Sequence, residues 1–183
     1  MDRVVIIGCS AGGKSTIARE LSQTLGIELI HLDKVLWKPG CRLSDPQEEP
    51  QLVRDLLDRP RWIMDGNYTA SLAMRLELAD TVVFIDFSRL RCLSRALKRL
   101  IQFKGKTRPD MGANCPEQLN LAFLRWIWNY PRFERPELLR LLNEHAGRAE
   151  IIHLRSPVGV DRWLNVIRRR VGMGREPHVA GAH

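Results

Sequence analysis

Apolar residues along the chain alternate between two kinds of cluster. Val4-Val5-Ile6-Ile7 is a continuous β-branched run that stops at Gly8, the pattern of a strand covered on both faces in a parallel sheet. From Lys14 onward Ile17, Ala18, Leu21 and Leu25 recur at helical spacing, and Gly26 supplies the stop. Short apolar runs return at Ile27 to Leu32, Trp62 to Met64, Thr81 to Phe87 and Glu150 to Leu154. Five strands alternating with helical segments predict an α/β domain with a mainly parallel sheet. The segment from Lys38 to Pro60 is proline-rich, and its one helical stripe is Leu52, Val53, Leu56 and Leu57, so it reads as an insertion over one end of the sheet. Leu119 to Trp128 and Pro136 to His145 predict two further helices, and Val158 to Val171 a closing one. Residues 1–171 form one domain in this reading, and the polar stretch 172–183 is a frayed tail.

Length and charge narrow the class. A chain of 183 residues with 44% hydrophobic and 27% charged side chains can bury a real core, which excludes disordered and collagen-like readings. Basic residues exceed acidic ones by 29 − 21 = 8, and the excess lies beyond residue 60. Such a surface should meet an anion, either phosphates or nucleic acid. Cys9, Cys41, Cys92 and Cys115 show no metal-binding or disulfide spacing, so four free thiols are expected. No apolar run is long enough for a bilayer and the opening residues are too short for a secretory signal, which points to the cytoplasm. Oligomeric state is not readable.

Gly8-Cys9-Ser10-Ala11-Gly12-Gly13-Lys14-Ser15 fits G-x-x-x-x-G-K-[ST], followed by Thr16. With glycine at about 7% usage, a chance match in a chain of this length is on the order of one in a hundred. The flanking strand and helix are the context the motif requires. Glycines let successive N–H groups converge on phosphate oxygens, and the helix N-terminus adds positive potential. Lys14 would reach the β and γ phosphates of ATP, and the Ser15 hydroxyl would bind Mg²⁺.

Asp65 closes the strand Trp62-Ile63-Met64, at the end of an α/β sheet where ligands gather, and suits an acid holding a magnesium-bound water. A turn-forming Asp before Gly66 is the plainer alternative. Asp86 ends another strand, or else caps the helix that begins near Ser88. Asp33 closes the second strand and could take a proton from an acceptor hydroxyl, whereas His31 reads as structural. From Ser88 to Pro109 there are eight basic residues and no acidic one. Arg91, Arg95 and Arg99 lie four apart, on one helical stripe, and suit a lid over residues 88–135 that neutralises charge during transfer. Phe123, Trp126, Trp128 and Tyr130 read as core aromatics.

Taken with His31-Leu32-Asp33, Trp37, Asp65-Gly66-Asn67-Tyr68, Cys115-Pro116-Glu117 and Phe123-Leu124-Arg125-Trp126-Ile127-Trp128, the phosphate loop gives the chain a family likeness. It resembles the adenylate-kinase-like P-loop proteins of bacteria labelled DNA topology modulation protein, or FlaR-related, over about residues 3–164. The resemblance implies a three-layer α/β/α sandwich with a five-stranded parallel sheet and a helical lid. It further implies that Gly13, Lys14, Ser15 and Thr16 bind ATP phosphates, that Asp65 is the Walker-B-like acid and that Arg95 and Arg99 belong to the lid. Arg155 and Ser156 match the place where such kinases pack adenine. Adenylate kinase itself has an arginine after the Asp-Gly pair to hold a nucleoside monophosphate; this chain lacks it there, and Arg75 is the candidate replacement. The expected activity is transfer of the γ-phosphoryl group of MgATP to a small-molecule acceptor. The alternative is a nucleotide-dependent DNA-binding regulator that uses the basic surface and Arg168, Arg169 and Arg170.

Overall fold

The computed structural model describes residues 1–116 and 121–173. Strand β1 (Arg3–Gly8) leads into helix α1 (Lys14–Leu25), then β2 (Leu29–His31) and the short α2 (Leu32–Leu36). A small hairpin, β3 (Trp37–Lys38) with β4 (Arg42–Leu43), and α3 (Glu49–Leu57) fill the proline-rich insertion. β5 (Trp62–Asp65), α4 (Thr69–Leu78), β6 (Thr81–Ile85), α5 (Arg89–Gln102) and α6 (Leu121–Glu144) follow, and β7 (Glu150–Leu154) and α7 (Pro157–Met173) complete the chain.

The main sheet has the order β2-β5-β1-β6-β7 with every pair parallel, as the continuous apolar runs predict. Parallel crossovers are right-handed, so the step from β1 out to the edge strand β2 puts α1 on one face. The return steps through β5, β6 and β7 put α3, α4, α5 and α6 on the other, and α7 packs beside α1. The result is the expected three-layer sandwich. β1 and β6 are neighbours whose following helices leave to opposite faces, which opens a crevice at their carboxyl ends.

Four of the five main strands are apolar because both faces are covered: Val4 to Ile7, Trp62 to Met64 and Val82 to Ile85 are essentially inaccessible, and Ile30 of β2 is buried with them. Three expectations change. The two helices expected on either side of 129–135 are one continuous α6, with Pro131 and Pro136 inside it. Each proline costs a backbone hydrogen bond, but Ile127, Tyr130, Leu138, Leu141 and Leu142 lie buried along that helix and outweigh the local penalty. Cys41 and Cys115 are not free: they form a disulfide with Cα atoms 4.9 Å apart, whereas Cys9 and Cys92 are buried thiols. A pairing across 74 residues has no sequence signature, because the hairpin and the chain after α5 meet only in the folded molecule. Gly172 and Met173 continue α7; the rest of the expected tail, and Glu117 and Leu119, lie outside the described residues. No helix among the described residues is long and apolar enough to cross a membrane.

Candidate active site

The motif Gly8 to Ser15 forms the loop between β1 and α1 at the centre of the sheet. Gly8 has φ +139°, and a Cβ there would lie 2.1 Å from the Ile85 carbonyl oxygen, so only glycine lets β1 and β6 end this close together. Gly13, the residue before α1, has φ +98°, and a Cβ on it would sit 2.6 Å from Nη2 of Arg95. Arg95 therefore reaches from α5 to the N-terminus of α1. Lys14 donates from Nζ to the carbonyls of Gly8 at 2.9 Å and Cys9 at 3.2 Å. Burial pushes its pKa down, and the charges of Asp33 and Asp65 pull the other way. Ser10, Ala11 and Ser15 are partly accessible around the same loop, Gly12 is buried and Thr16 faces solvent.

Asp65 ends β5 beside this loop and is buried, and its Oδ1 is 2.7 Å from His31 Nδ1 on the neighbouring β2. One oxygen of the expected magnesium acid is thus engaged by a histidine. Asn67, two residues on, accepts from the Gly8 amide at 2.9 Å and ties this turn to the phosphate loop.

Asp33 stands in the first turn of α2 and not at a strand end, since β2 stops at His31. Tyr68 donates its hydroxyl to Asp33 Oδ1 at 2.6 Å, and Trp37 Nε1 donates to the Tyr68 oxygen at 3.0 Å. Burial pushes the Asp33 carboxyl up; the Tyr68 hydroxyl, Lys14 and Arg108 pull it back. Tyr68 achieves this reach with φ +35°, a conformation a bulky side chain adopts only when its surroundings enforce it. The enforcing group is Arg75. It is fully buried and donates to the carbonyls of Gly66 and Tyr68, both at 2.9 Å, to that of Asn67, and to Ser71 Oγ at 3.2 Å. The suggestion that Arg75 holds a nucleotide phosphate is therefore corrected: its donors are spent on the backbone of 66–68.

The chain from Phe103 to Pro116, here called the strap, closes over the same end. Arg108 Nη1 is 2.7 Å from Asp110 Oδ2, and Nη2 lies 3.7 Å from Asp33 Oδ2. Asp110 is buried; burial opposes its ionisation, but Arg108 and a hydrogen bond from the Ser15 side chain hold its carboxyl below the usual range. Gly112 packs so closely on Trp37 that a Cβ would meet the Trp37 carbonyl oxygen at 2.2 Å. Sequence reasoning missed Arg108, Asp110 and Tyr68. Arg108 had counted as one cation in a basic run, and only Tyr68 and Trp37 carried a motif signal.

No family model and no curated protein matches the chain. Solved structures do. A shikimate kinase from Acinetobacter baumannii in complex with shikimate is 14% identical, with 96% of each chain covered and a TM-score of 0.59. A gluconokinase from Sinorhizobium meliloti 1021 is 15% identical over 96% of this chain and 98% of that one, with a TM-score of 0.50. The chain has the P-loop kinase fold.

The other expected residues have partners of their own outside the loop. Arg99 lies over the Phe123 ring at 5.5 Å and Arg91 faces solvent, while Arg95 is the member of the stripe placed at Gly13. Arg155 is exposed beside His153, and Ser156 accepts from the Gly159 amide at 3.1 Å, which caps α7. Asp86 does not cap α5, which Ser88 does. It pairs bidentately with Arg135 at 2.8 Å and with His153 at 2.9 Å. Tyr130 and much of Trp126 pack as core, as the aromatic spacing predicts, but Trp128 is half exposed under Arg89.

Proposed function

We propose that the protein is an ATP-dependent phosphotransferase that moves the γ-phosphoryl group of MgATP to a hydroxyl of a small molecule. One observation carries the reading: at the end of the sheet that bears the phosphate loop and its lysine, a half-buried carboxylate, Asp33, accepts from the Tyr68 hydroxyl at 2.6 Å and faces Arg108 at 3.7 Å. The amides from Ser10 to Thr16 would hold the β and γ phosphates, with Lys14 and Arg95 supplying positive charge. Lys14 would leave the Gly8 and Cys9 carbonyls to do so. Arg99 supports the lid through Phe123, and Arg155 and Ser156 would border the adenine.

Magnesium, bound with ATP, would neutralise phosphate oxygens, and Ser15 and Asp65 are residues that would hold it or its waters. Among the described residues no group of three or more metal-ligating His, Cys, Asp or Glu side chains converges, which fits an ion carried mainly by phosphates and water. Asp33 would accept the acceptor's hydroxyl proton as that oxygen bonds to the γ phosphorus and the bond to ADP breaks. Trp37 and Tyr68 fix the orientation of Asp33 for that task. A nucleoside monophosphate acceptor is less well served, because Arg75 is turned inward.

The test is labelled ATP incubated with nucleosides, nucleotides and small hydroxyl compounds, with products identified by mass. Phosphorylation of at least one acceptor, lost in Lys14→Ala, is the expected result; wild-type turnover in that variant defeats the reading. The competing reading, a nucleotide-gated nucleic-acid binder within the resembled topology-modulation family, draws on the exposed Arg169 and Arg170 of α7. Its partner Arg168 is already paired with Glu20 at 2.9 Å. Duplex DNA binding that persists near physiological salt would favour it.

A further inference from the structure

Away from the phosphate loop, α5 and α6 carry large apolar side chains on their solvent side. On α5, Leu90, Leu97 and Ile101 are spaced by seven and four residues, which sets them within about 40° of one another around the helix. All three are exposed, Leu90 at 66% and Ile101 at 79%. On α6, Leu121 and Trp128 are also seven apart and exposed. Two ring contacts set these helices side by side and antiparallel: Arg89, at the start of α5, lies over the Trp128 ring at 4.0 Å, and Arg99, near its end, lies over Phe123.

Cations accompany both stripes. Arg91 and Lys98 flank the one on α5, Arg125 and Arg132 share the one on α6, and all four are exposed. Neither α5 nor residues 121–133 contain an acidic side chain. Arg95 leaves the other side of α5 to reach Gly13, so this face is separate from the phosphate loop.

We propose that the exposed face of α5 and α6 docks on an anionic lipid bilayer and lies in its interface. Such a surface satisfies both halves of the face. Leu90, Leu97, Ile101 and the Trp128 indole enter the boundary between headgroups and acyl chains, while the arginines and Lys98 stay among the headgroup phosphates. Other occupants satisfy one half alone. Duplex nucleic acid would meet the cations but leave the leucines and Ile101 against phosphate and water. A second copy placed face to face would cover the apolar side chains but set like charges against like, with no carboxylate on α5 or in 121–133 to compensate. No helix among the described residues is long and apolar enough to cross a membrane, which agrees with docking in the plane.

The experiment mixes the full chain with vesicles of phosphatidylglycerol or of phosphatidylcholine and measures binding by co-sedimentation. In parallel, tryptophan fluorescence is followed on phosphatidylglycerol vesicles whose acyl chains are brominated and therefore quench. The wild-type chain should bind phosphatidylglycerol at least about tenfold more tightly than phosphatidylcholine, and quenching should be largely lost in Trp128→Phe. Combining Leu90→Gln, Leu97→Gln and Ile101→Gln, all at exposed positions, should weaken binding at least about tenfold with an unchanged thermal melt. Arg91→Gln with Lys98→Gln should weaken it as well and flatten its dependence on salt. Failure of the wild-type chain to bind phosphatidylglycerol at low salt overturns the proposal. Wild-type affinity in the triple glutamine variant also overturns it, because binding would then be the electrostatic adsorption that a nucleic acid shares. A wild-type dimer that the triple variant converts to monomer in sedimentation velocity assigns the face to a second copy instead. Should the triple variant melt early, quenching decides alone: bound protein whose Trp128 stays unquenched refutes the docking.

Discussion

Arg75 offers the sharpest contrast between a residue that binds substrate and one that builds the site. In Arg75→Met the side chain keeps its length but loses every donor. The carbonyls of Gly66, Asn67 and Tyr68 and the Ser71 hydroxyl each lose a partner, and Glu49, whose Oε1 accepts from the Ser71 amide at 2.8 Å, loses the nearby positive charge. Burial pushes the Arg75 pKa down to about 10, which leaves it charged at neutral pH. Each carbonyl left buried without a donor costs about 1–3 kcal/mol, although those of Asn67 and Tyr68 are near enough to the surface for water to repair part of the loss. With the Gly66 carbonyl wholly buried and the other two partly repaired by water, the total comes to about 4 kcal/mol. At about 2–4 °C per kcal/mol for a chain of this size, the melting temperature should fall by roughly 8–16 °C. Adding Glu49→Gln should restore part of that loss. Thermal unfolding followed by circular dichroism reads the effect. A melt unchanged within about 2 °C, together with a weakened acceptor KM, would show that Arg75 faces the substrate and would refute the clasp.

The acid limb of kcat/KM should lie above the ordinary carboxylate range near pH 3.9, because burial raises the pKa of Asp33 in the free enzyme and the base works only when ionised. Tyr68→Phe removes a hydrogen bond that favours the ionised form, so the limb should move to still higher pH; a shift toward acid contradicts the relay. Ala11 has φ +57°, a conformation that costs a non-glycine residue about 1–2 kcal/mol, part of which glycine returns through its freer unfolded chain. Ala11→Gly should accordingly stabilise the protein by roughly 0.5 kcal/mol in a denaturant melt, and a loss of stability would show the loop is not strained there. Reduction of Cys41–Cys115 opens a loop spanning 74 residues, which chain entropy values at up to about 4 kcal/mol. Melts with and without reductant should separate clearly, and coincident curves would mean that the strap docks without its tether.

The sequence by itself determined the central sheet and the phosphate loop, because both are written in local order. A β-branched run covered on both faces must be continuous, and a helix that starts on a glycine-rich turn must present its glycines, lysine and serine consecutively. β1, the loop and α1 were legible for that reason, as was the cationic α5 that brings Arg95 to Gly13. Only the tertiary structure decided which side chains face one another across that end. Tyr68 joins Trp37 and Asp33 by hydrogen bonds across 31 and 35 positions, and Arg108 faces Asp33 from the far end of the chain segment between them. A separation of 74 positions likewise hid the disulfide, whereas the inward turn of Arg75 spans at most nine positions and depends on how the chain folds back at 66–68. Pro131 and Pro136 misled for the converse reason: they carry a strong local signal for a break, and burial of the α6 face against the core overrode it. Local order records what each residue prefers for its own backbone. The pairings that give the site its charge and shape are fixed by packing, which no stretch of neighbours in the chain can specify.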